Sequence, residues 1–329
     1  MGKTSRVKKT AVILFNLGGP SSLEGVESFL FSLFSDPDII SLPNPFRYMI
    51  AFWVTKRRLK EAQHIYSLLG GRSPLLENTK AQAVALNKEL GDDYQVFVAM
   101  RHAPPLIPHT FEQVKAYDPD EVILLPLYPQ YSTTTTKSSL KAWMKEAEGW
   151  KITTRFIKCY PTLPEFIDVL STMTQALYEE AKKKGHPKIL LTAHGLPKKT
   201  IQKGDPYQQQ VEQTAGSLIK NLSHLNPDFV LCYQSRVGPL TWLGPYTEDE
   251  VVIASREKRP LIIVPLSFVS EHSETLVELD IAYHKRAFQE GCPAYYRVDT
   301  VQSHPLFIKG LAQLVRCAPY DQKEEENAF

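Results

Sequence analysis

KILLTAHGLPKKTIQKGDPY, residues Lys188–Tyr207, decides how the chain is read. The β-branched, leucine-rich run Ile189–Thr192 leads to His194 and a Gly-Leu-Pro turn. A helix-like segment and a Gly-Asp-Pro-Tyr break at Gly204–Tyr207 follow. A short apolar run bounded by turn residues predicts a parallel strand buried on both faces. Its carboxyl end then presents the His194 imidazole at the sheet edge where ligands collect in open α/β folds. An isolated histidine in such a place is more often a satisfied loop residue. The residues that accompany His194 farther along weigh against that here.

The same pattern occurs once before. AVILFNLGGP at Ala11–Pro20 and ILLTAHGLP at Ile189–Pro197 are both apolar strands that end in a Gly/Pro turn ahead of a helix. The first helix is predicted to open on a capping box at Ser21–Glu24 and to run to about Phe34. Further strands are expected at Tyr94–Met100, Glu121–Leu127, Phe229–Gln234 and Leu261–Leu266, and the run Ser132–Thr136 is expected to cap a helix around Ser138–Ala147. The alternation predicts an α/β protein of two similar halves, each a parallel sheet flanked by helices, with the cleft between them as the default site. Residues 10–165, completed by the C-terminal helix in 305–318, form the first unit, and 166–304 the second. The turn Leu17–Pro20 is neither GxGxxG nor GxxxxGK[ST], so a phosphate cradle is disfavoured.

The chain has 329 residues, 43% hydrophobic and 22% charged, with a net charge of +2. Those values fit an ordinary globular protein and provide no basic field for nucleic acid. Cys159, Cys232, Cys292 and Cys317 are scattered without CxxC spacing, which points to a reducing compartment. MGKTSRVKKT at the N-terminus lacks an apolar core of signal-peptide length, and no apolar run reaches the roughly 18–20 residues that span a bilayer. A cytoplasmic protein is expected, and the acidic tail Lys323–Phe329 is expected to carry no chemistry.

LPNPFRYMIAFWVTKRRLK, Leu42–Lys60, crowds Phe46, Tyr48, Met49, Ile50, Phe52, Trp53 and Val54 ahead of Lys56-Arg57-Arg58. It reads equally as a core helix and as an apolar lip that meets a membrane interface, its basic cluster facing anionic headgroups.

The chemistry gathers after the last buried strand. With Ser270 as N-cap, Glu271, Glu274 and Glu278 fall on one α-helical face, with His272 beside them. A solvated acidic face is the ordinary reading of such a row. Here the helix starts at the sheet edge where His194 also emerges. Carboxylates opposite an imidazole bind a borderline divalent metal or move protons. His194 with Glu274 is too few ligands for a closed structural site and suits one that receives a metal and gives it up. Leu17, Tyr128, Trp242 and Phe268 supply apolar walls, and Arg72, Ser73, Arg101 and His102 are candidates to anchor carboxylates. Such walls suit a broad, flat, apolar ligand with acidic side chains.

LLTAHGLP with KGDPY, YQSRVGPLTWLGPYTEDE, FVSEHSETLVELD, LFNLGGP, GGRSPL and LYPQYSTTTT closely resemble the ferrochelatase family, in order and over nearly the whole chain. The resemblance implies two Rossmann-like domains with the porphyrin in the cleft between them. It also implies insertion of Fe²⁺ into protoporphyrin IX to give haem, with release of two protons. It makes His194 the metal ligand, the pyrrole-proton acceptor, or both, with Glu274 as its partner. Glu271, His272 and Glu278 become the metal or proton path. It turns residues 43–58 into a lip over the porphyrin mouth, with peripheral contact at the inner membrane. Ala282 stands where the family often has a glutamate, and His102 where many members have tyrosine. Cluster-bearing members have cysteine where Thr133 stands, and Cys317 is alone, so no [2Fe–2S] cluster, no tightly bound cofactor and a monomer are expected. The alternatives are a chelatase for coproporphyrin III or a cobalt substrate, a non-catalytic porphyrin or haem carrier, and a nucleotide-binding oxidoreductase. The acidic row speaks against the carrier.

Overall fold

A computed structural model of the chain describes residues 8–319; the acidic tail from Lys323 lies outside them. The first half runs β1 (Thr10–Asn16), α1 (Gly25–Phe34), α2 (Phe46–Ser67), α3 (Leu75–Leu90), β2 (Tyr94–Met100), α4 (Ile107–Tyr117), β3 (Glu121–Pro126), α5 (Ser138–Glu146) and β4 (Thr153–Phe156). Then α6 (Pro164–Lys182) leads into β5 (Lys188–His194), α7 (Lys198–Gln202), α8 (Tyr207–Leu222), β6 (Asp228–Gln234), α9 (Thr247–Arg256) and β7 (Leu261–Pro265). A π-helix over Glu274–Tyr283, α10 (His284–Gln289), β8 (Tyr295–Arg297) and α11 (Pro305–Arg316) complete the order.

The strands form two four-stranded parallel sheets, β2-β1-β3-β4 and β6-β5-β7-β8, so the two halves repeat one topology. Parallel strands require crossovers, and crossover helices cover both faces, which is why the central strands are continuous apolar runs. In β1, Val12 and Leu14 point into one core, while Ala11, Ile13 and Phe15 point into another, built on Phe111 and Trp143. In β5, Ile189, Leu191 and Ala193 face the first of these cores and Leu190 faces a third. That first core is continuous from one sheet to the other. Through it α11 packs against α3 and α6, with Phe307 against Tyr160 and Phe166.

Polar contacts then fix the halves against each other at their ligand edges. From α3, Gln82 donates to the Val269 and Gln302 carbonyls at 3.0 Å each, and the Ser270 hydroxyl donates back to Gln82 at 2.9 Å. Ser132 caps a π-turn at Thr133–Lys137 ahead of α5, as its position in the sequence suggests. The Asp205 carboxylate of the KGDPY break accepts from Ser132 Oγ, Thr133 N and Thr133 Oγ1 at 2.7–3.1 Å. The capping box expected at Ser21–Glu24 is displaced: α1 begins at Gly25, and it is Ser22 Oγ that accepts the Gly25 amide at 3.3 Å.

Helix α2 resolves the two readings of Leu42–Lys60 on the side of exposure. It docks through Ala51, Thr55 and Tyr66, whereas Phe46, Tyr48, Met49, Phe52 and Trp53 are exposed, Trp53 by 67%. No described helix is long and apolar enough to cross a membrane.

Candidate active site

His194 ends β5, and its backbone is held on both sides. Its amide donates to Ser267 Oγ at 3.0 Å and its carbonyl accepts from the Tyr207 hydroxyl at 2.9 Å. The following Gly195 lies so close to the Gln234 carbonyl that an added Cβ would sit 2.9 Å from that oxygen and 3.4 Å from the Trp242 ring. Glycine is required there to admit the neighbouring backbone and the indole. The imidazole is thereby presented on a rigid strand end beside an aromatic wall.

Nδ1 of His194 lies 2.7 Å from Glu274 Oε2, with both side chains about a third exposed and open to a ligand. No protein hydrogen bond reaches Nε2 among the described residues. Burial disfavours the imidazolium, but the Glu274 carboxylate outweighs it and raises the His194 pKa. Burial likewise pushes the Glu274 carboxyl up, and the His194 charge and hydrogen bond overcome it and hold it down at about 2. Both shifts favour the imidazolium–carboxylate form of the pair.

The helix that carries Glu274 is not the α-helix inferred from sequence. It begins at Glu274 as a π-helix, whose i→i+5 bonds wind wider than α, so that residues four apart come closer to one line. Glu274 and Glu278 share that line, and Ser235 joins them. Its hydroxyl is 2.5 Å from Glu278 Oε2 and 3.2 Å from Glu274 Oε2, and its amide donates to Glu278 Oε1 at 3.0 Å. Ser235 adopts φ +66°, a left-handed conformation that a non-glycine residue holds only when its surroundings impose it. Burial and the neighbouring Glu274 charge raise the Glu278 pKa.

Ser270 and Glu271 take other places than expected. Ser270 bonds Gln82 and caps nothing. Glu271 precedes the helix and is 7% exposed; its Oε1 accepts from Arg297 at 2.7 Å and from Thr300 N at 2.8 Å. It is a framework carboxylate, off the line of Glu274 and Glu278. The ring of His272 packs edge-on to Phe268 at 4.4 Å, its Nδ1 accepts the Glu274 amide at 3.1 Å, and burial lowers its pKa.

In the first half, Leu17 follows β1 and leads into Gly18 at φ +89° and Gly19, where a Cβ would fall 2.5 Å from Ser73. The Leu17 turn and the Arg72-Ser73 turn therefore touch, with Arg72 exposed and Ser73 buried. Arg101 is not a free anchor. Its guanidinium pairs with buried Asp36 at 2.7 Å and bonds Ser138 Oγ at 2.7 Å. The His102 side chain is fully buried, and burial together with Arg101 drives its pKa down to about 3, so it is a neutral packing residue and no carboxylate anchor. Tyr128 is half-buried, and burial raises its hydroxyl pKa far above the ordinary range. Sequence reasoning missed Asp36, Asp205, Ser235 and also Tyr66, whose pKa burial pushes up to about 12 and whose hydroxyl neighbours Ser273 and Glu274. Among the described residues no three His, Cys, Asp or Glu side chains are placed to hold one metal ion, so any metal would meet a two-ligand, open site.

A family model described as Ferrochelatase matches residues 9–318. A ferrochelatase of Wolbachia sp. subsp. Drosophila simulans is 49% identical over 312 residues, covering 93% of this chain and 98% of that protein. One of Caulobacter vibrioides is 47% identical over 316 residues, covering 94% and 90%. SirB from Bacillus subtilis, solved with Fe³⁺, superposes with a TM-score of 0.53 at 14% identity, covering 94% of each chain. CbiX, described as the terminal enzyme of sirohaem biosynthesis in denitrifying bacteria, also gives 0.53, at 12% identity, covering 95% of this chain and all of that one. At those identities the two structures speak for the fold alone.

Proposed function

The chain belongs to the ferrochelatase family, and from that premise we propose that it inserts Fe²⁺ into protoporphyrin IX, with His194 and Glu274 as the reacting pair. It is a metal-chelating enzyme of haem synthesis. The observation that carries the assignment of the pair is the 2.7 Å contact of Nδ1 with Glu274, which leaves Nε2 free at the sheet edge. The macrocycle lies in the cleft between the two units, 10–165 with 305–318 and 166–304. Leu17, Tyr128, Trp242 and Phe268 form its walls, and Arg72 with Ser73 receives its propionates. Walls that impose a non-planar ring tilt a pyrrole lone pair toward the metal, at the expense of binding energy from the rest of the macrocycle. His194 takes a pyrrole proton or ligates the arriving ion through Nε2. Glu274, Ser235 and Glu278 lead the two released protons away. Metal-free protoporphyrin IX plus Fe²⁺ gives haem plus two protons, with no change of oxidation state.

The test is anaerobic mixing of purified protein, protoporphyrin IX and Fe²⁺, following loss of porphyrin fluorescence and growth of the haem spectrum. Many turnovers per protein are expected. Stoichiometric binding without turnover, or turnover of coproporphyrin III alone, would overturn the substrate assignment.

The pH dependence follows from the pair. Turnover needs the His194 lone pair, and a raised pKa keeps the imidazole protonated to higher pH. The acid limb of kcat/KM is expected above the ordinary histidine value of about 6.5. Glu274→Gln removes the charge that raises it and is expected to move the limb to lower pH, while also lowering the maximum. A limb that stays in place would show that another group sets it.

The exposed aromatic face of α2, followed by Lys56, Arg57 and Arg58, supports peripheral contact with the cytoplasmic face of the membrane through residues 43–58. Co-sedimentation with anionic phospholipid vesicles is expected. It should weaken by at least about tenfold in a Phe52→Glu/Trp53→Glu variant, since two large apolar side chains are lost from the interface. Equal sedimentation of both proteins would remove the lip from membrane contact.

A further inference from the structure

Beyond Glu278, on the side away from His194, lies a cavity of about 520 Å³, a size typical of small-molecule sites at roughly 300–1,000 Å³. Glu278 and Ala282 line it, with Lys285, Arg286, Arg236 and Glu248. Positions 274, 278, 282 and 286 follow each other at steps of four as Glu, Glu, Ala and Arg, so the sign of charge reverses along the helix. The lining carries three cations, Arg236, Lys285 and Arg286, against the carboxylates of Glu248 and Glu278. Glu290 is shared between Arg286 at 2.9 Å and Arg256 at 2.8 Å. Glu248 approaches Arg236 no closer than 4.0 Å, and Arg236 stacks over Tyr246. Lys285 is exposed and makes no ion pair among the described residues. A bare dication approaching Glu278 from this side passes the side chains of Arg236, Lys285 and Arg286. A small polyanion meets three donors around a half-enclosed space, with charge-assisted hydrogen bonds to gain.

We propose that this vestibule binds a small polycarboxylate and admits Fe²⁺ as its anionic chelate, Glu278 replacing one of the chelate's carboxylates as the ion moves inward. The step is ligand exchange, with no electron transfer. Its iron arm rests on the function proposed above; its anion arm does not.

The experiment has both arms. Metal-free citrate is titrated calorimetrically into the full-length protein at low ionic strength. One site is expected, weakened by added salt. Lys285→Glu and, separately, Ala282→Glu are each expected to reduce citrate affinity on the order of tenfold. Both substitutions fall at exposed positions, and thermal melts verify that the variants are folded. Turnover is then measured at subsaturating iron, with Fe²⁺ free or as its citrate chelate. The wild type is expected to prefer the chelate and Ala282→Glu the free ion. No citrate isotherm, an isotherm unchanged in both variants, or a wild-type preference for free iron would overturn the proposal. If neither form of iron yields haem, the chelatase assignment fails on its own, and the citrate titrations still decide the site.

Discussion

Replacing His194 with alanine is expected to slow haem formation by about 10²–10⁴-fold while porphyrin affinity stays near that of the wild type. In the proposed mechanism the loss falls on kcat, because the imidazole would act on the reacting centre while Leu17, Trp242 and Phe268 would supply the contact area that holds the macrocycle. Removing the ring also strips Glu274 of the charge that holds its carboxyl at about 2. Glu274 and Glu278, now two carboxylates bridged by Ser235 without a nearby cation, are expected to share a proton. The variant thus loses the proton acceptor and weakens the metal-attracting charge at once. Single-turnover haem formation and porphyrin fluorescence titration separate the two effects. Unchanged kcat would remove His194 from the chemistry; a large rise in porphyrin Kd with unchanged kcat would make it a binding residue instead.

How much of this was legible in the sequence depends on what each residue packs against. The four central strands β1, β3, β5 and β7, such as TAVILFN and LIIVP, are continuous apolar runs that read directly, and the longer edge strands β2 and β6 are apolar enough to read with them. The edge strands β4, TTRF, and β8, YYR, did not announce themselves, because a short, half-buried edge strand needs no apolar run. His194 and Glu274 were legible because a strand end and the helix after a neighbouring strand meet at one sheet edge. The helix geometry was not, since α and π windings differ in hydrogen-bond register and leave the same residues available to both. Pairings between distant residues were beyond reach as well. Nothing local marks Asp36 as the partner that occupies Arg101, or Ser235 as the bridge between two glutamates. Arg101 and His102 looked like anchors for that reason: a basic residue at a strand end is ambiguous until its counter-charge is placed.

Glu271 offers the sharpest contrast between the two readings. On an α-helical face it belongs to the path with Glu274 and Glu278; in the structure it is a buried tie between the loop and β8. Arg297 bonds Glu271 on one side and grips both oxygens of Asp280, in the middle of the π-helix, on the other, at 2.6 and 2.7 Å. The Thr300 amide and hydroxyl complete the coordination of Glu271. Glu271→Ala leaves Arg297 with one partner fewer and two Thr300 donors unpaired, so a loss of about 3–5 kcal/mol is expected. In a chain of this size that lowers the melting temperature by roughly 4–7 °C. The pH dependence carries the same signature. Burial raises the Glu271 pKa, but Arg297 and the Thr300 bonds overcome it and the net shift is downward. A depressed carboxyl stabilises the fold above its unfolded pKa of about 4.3 and loses that contribution as pH falls through the folded value. The melting difference between wild type and variant is therefore expected to be full near neutrality and to shrink in acid. A Glu271→Ala protein that melts like the wild type but loses turnover would return Glu271 to the path. One that melts early yet retains kcat and the wild-type acid limb places it in the framework that holds the π-helix, and with it Glu274, in position.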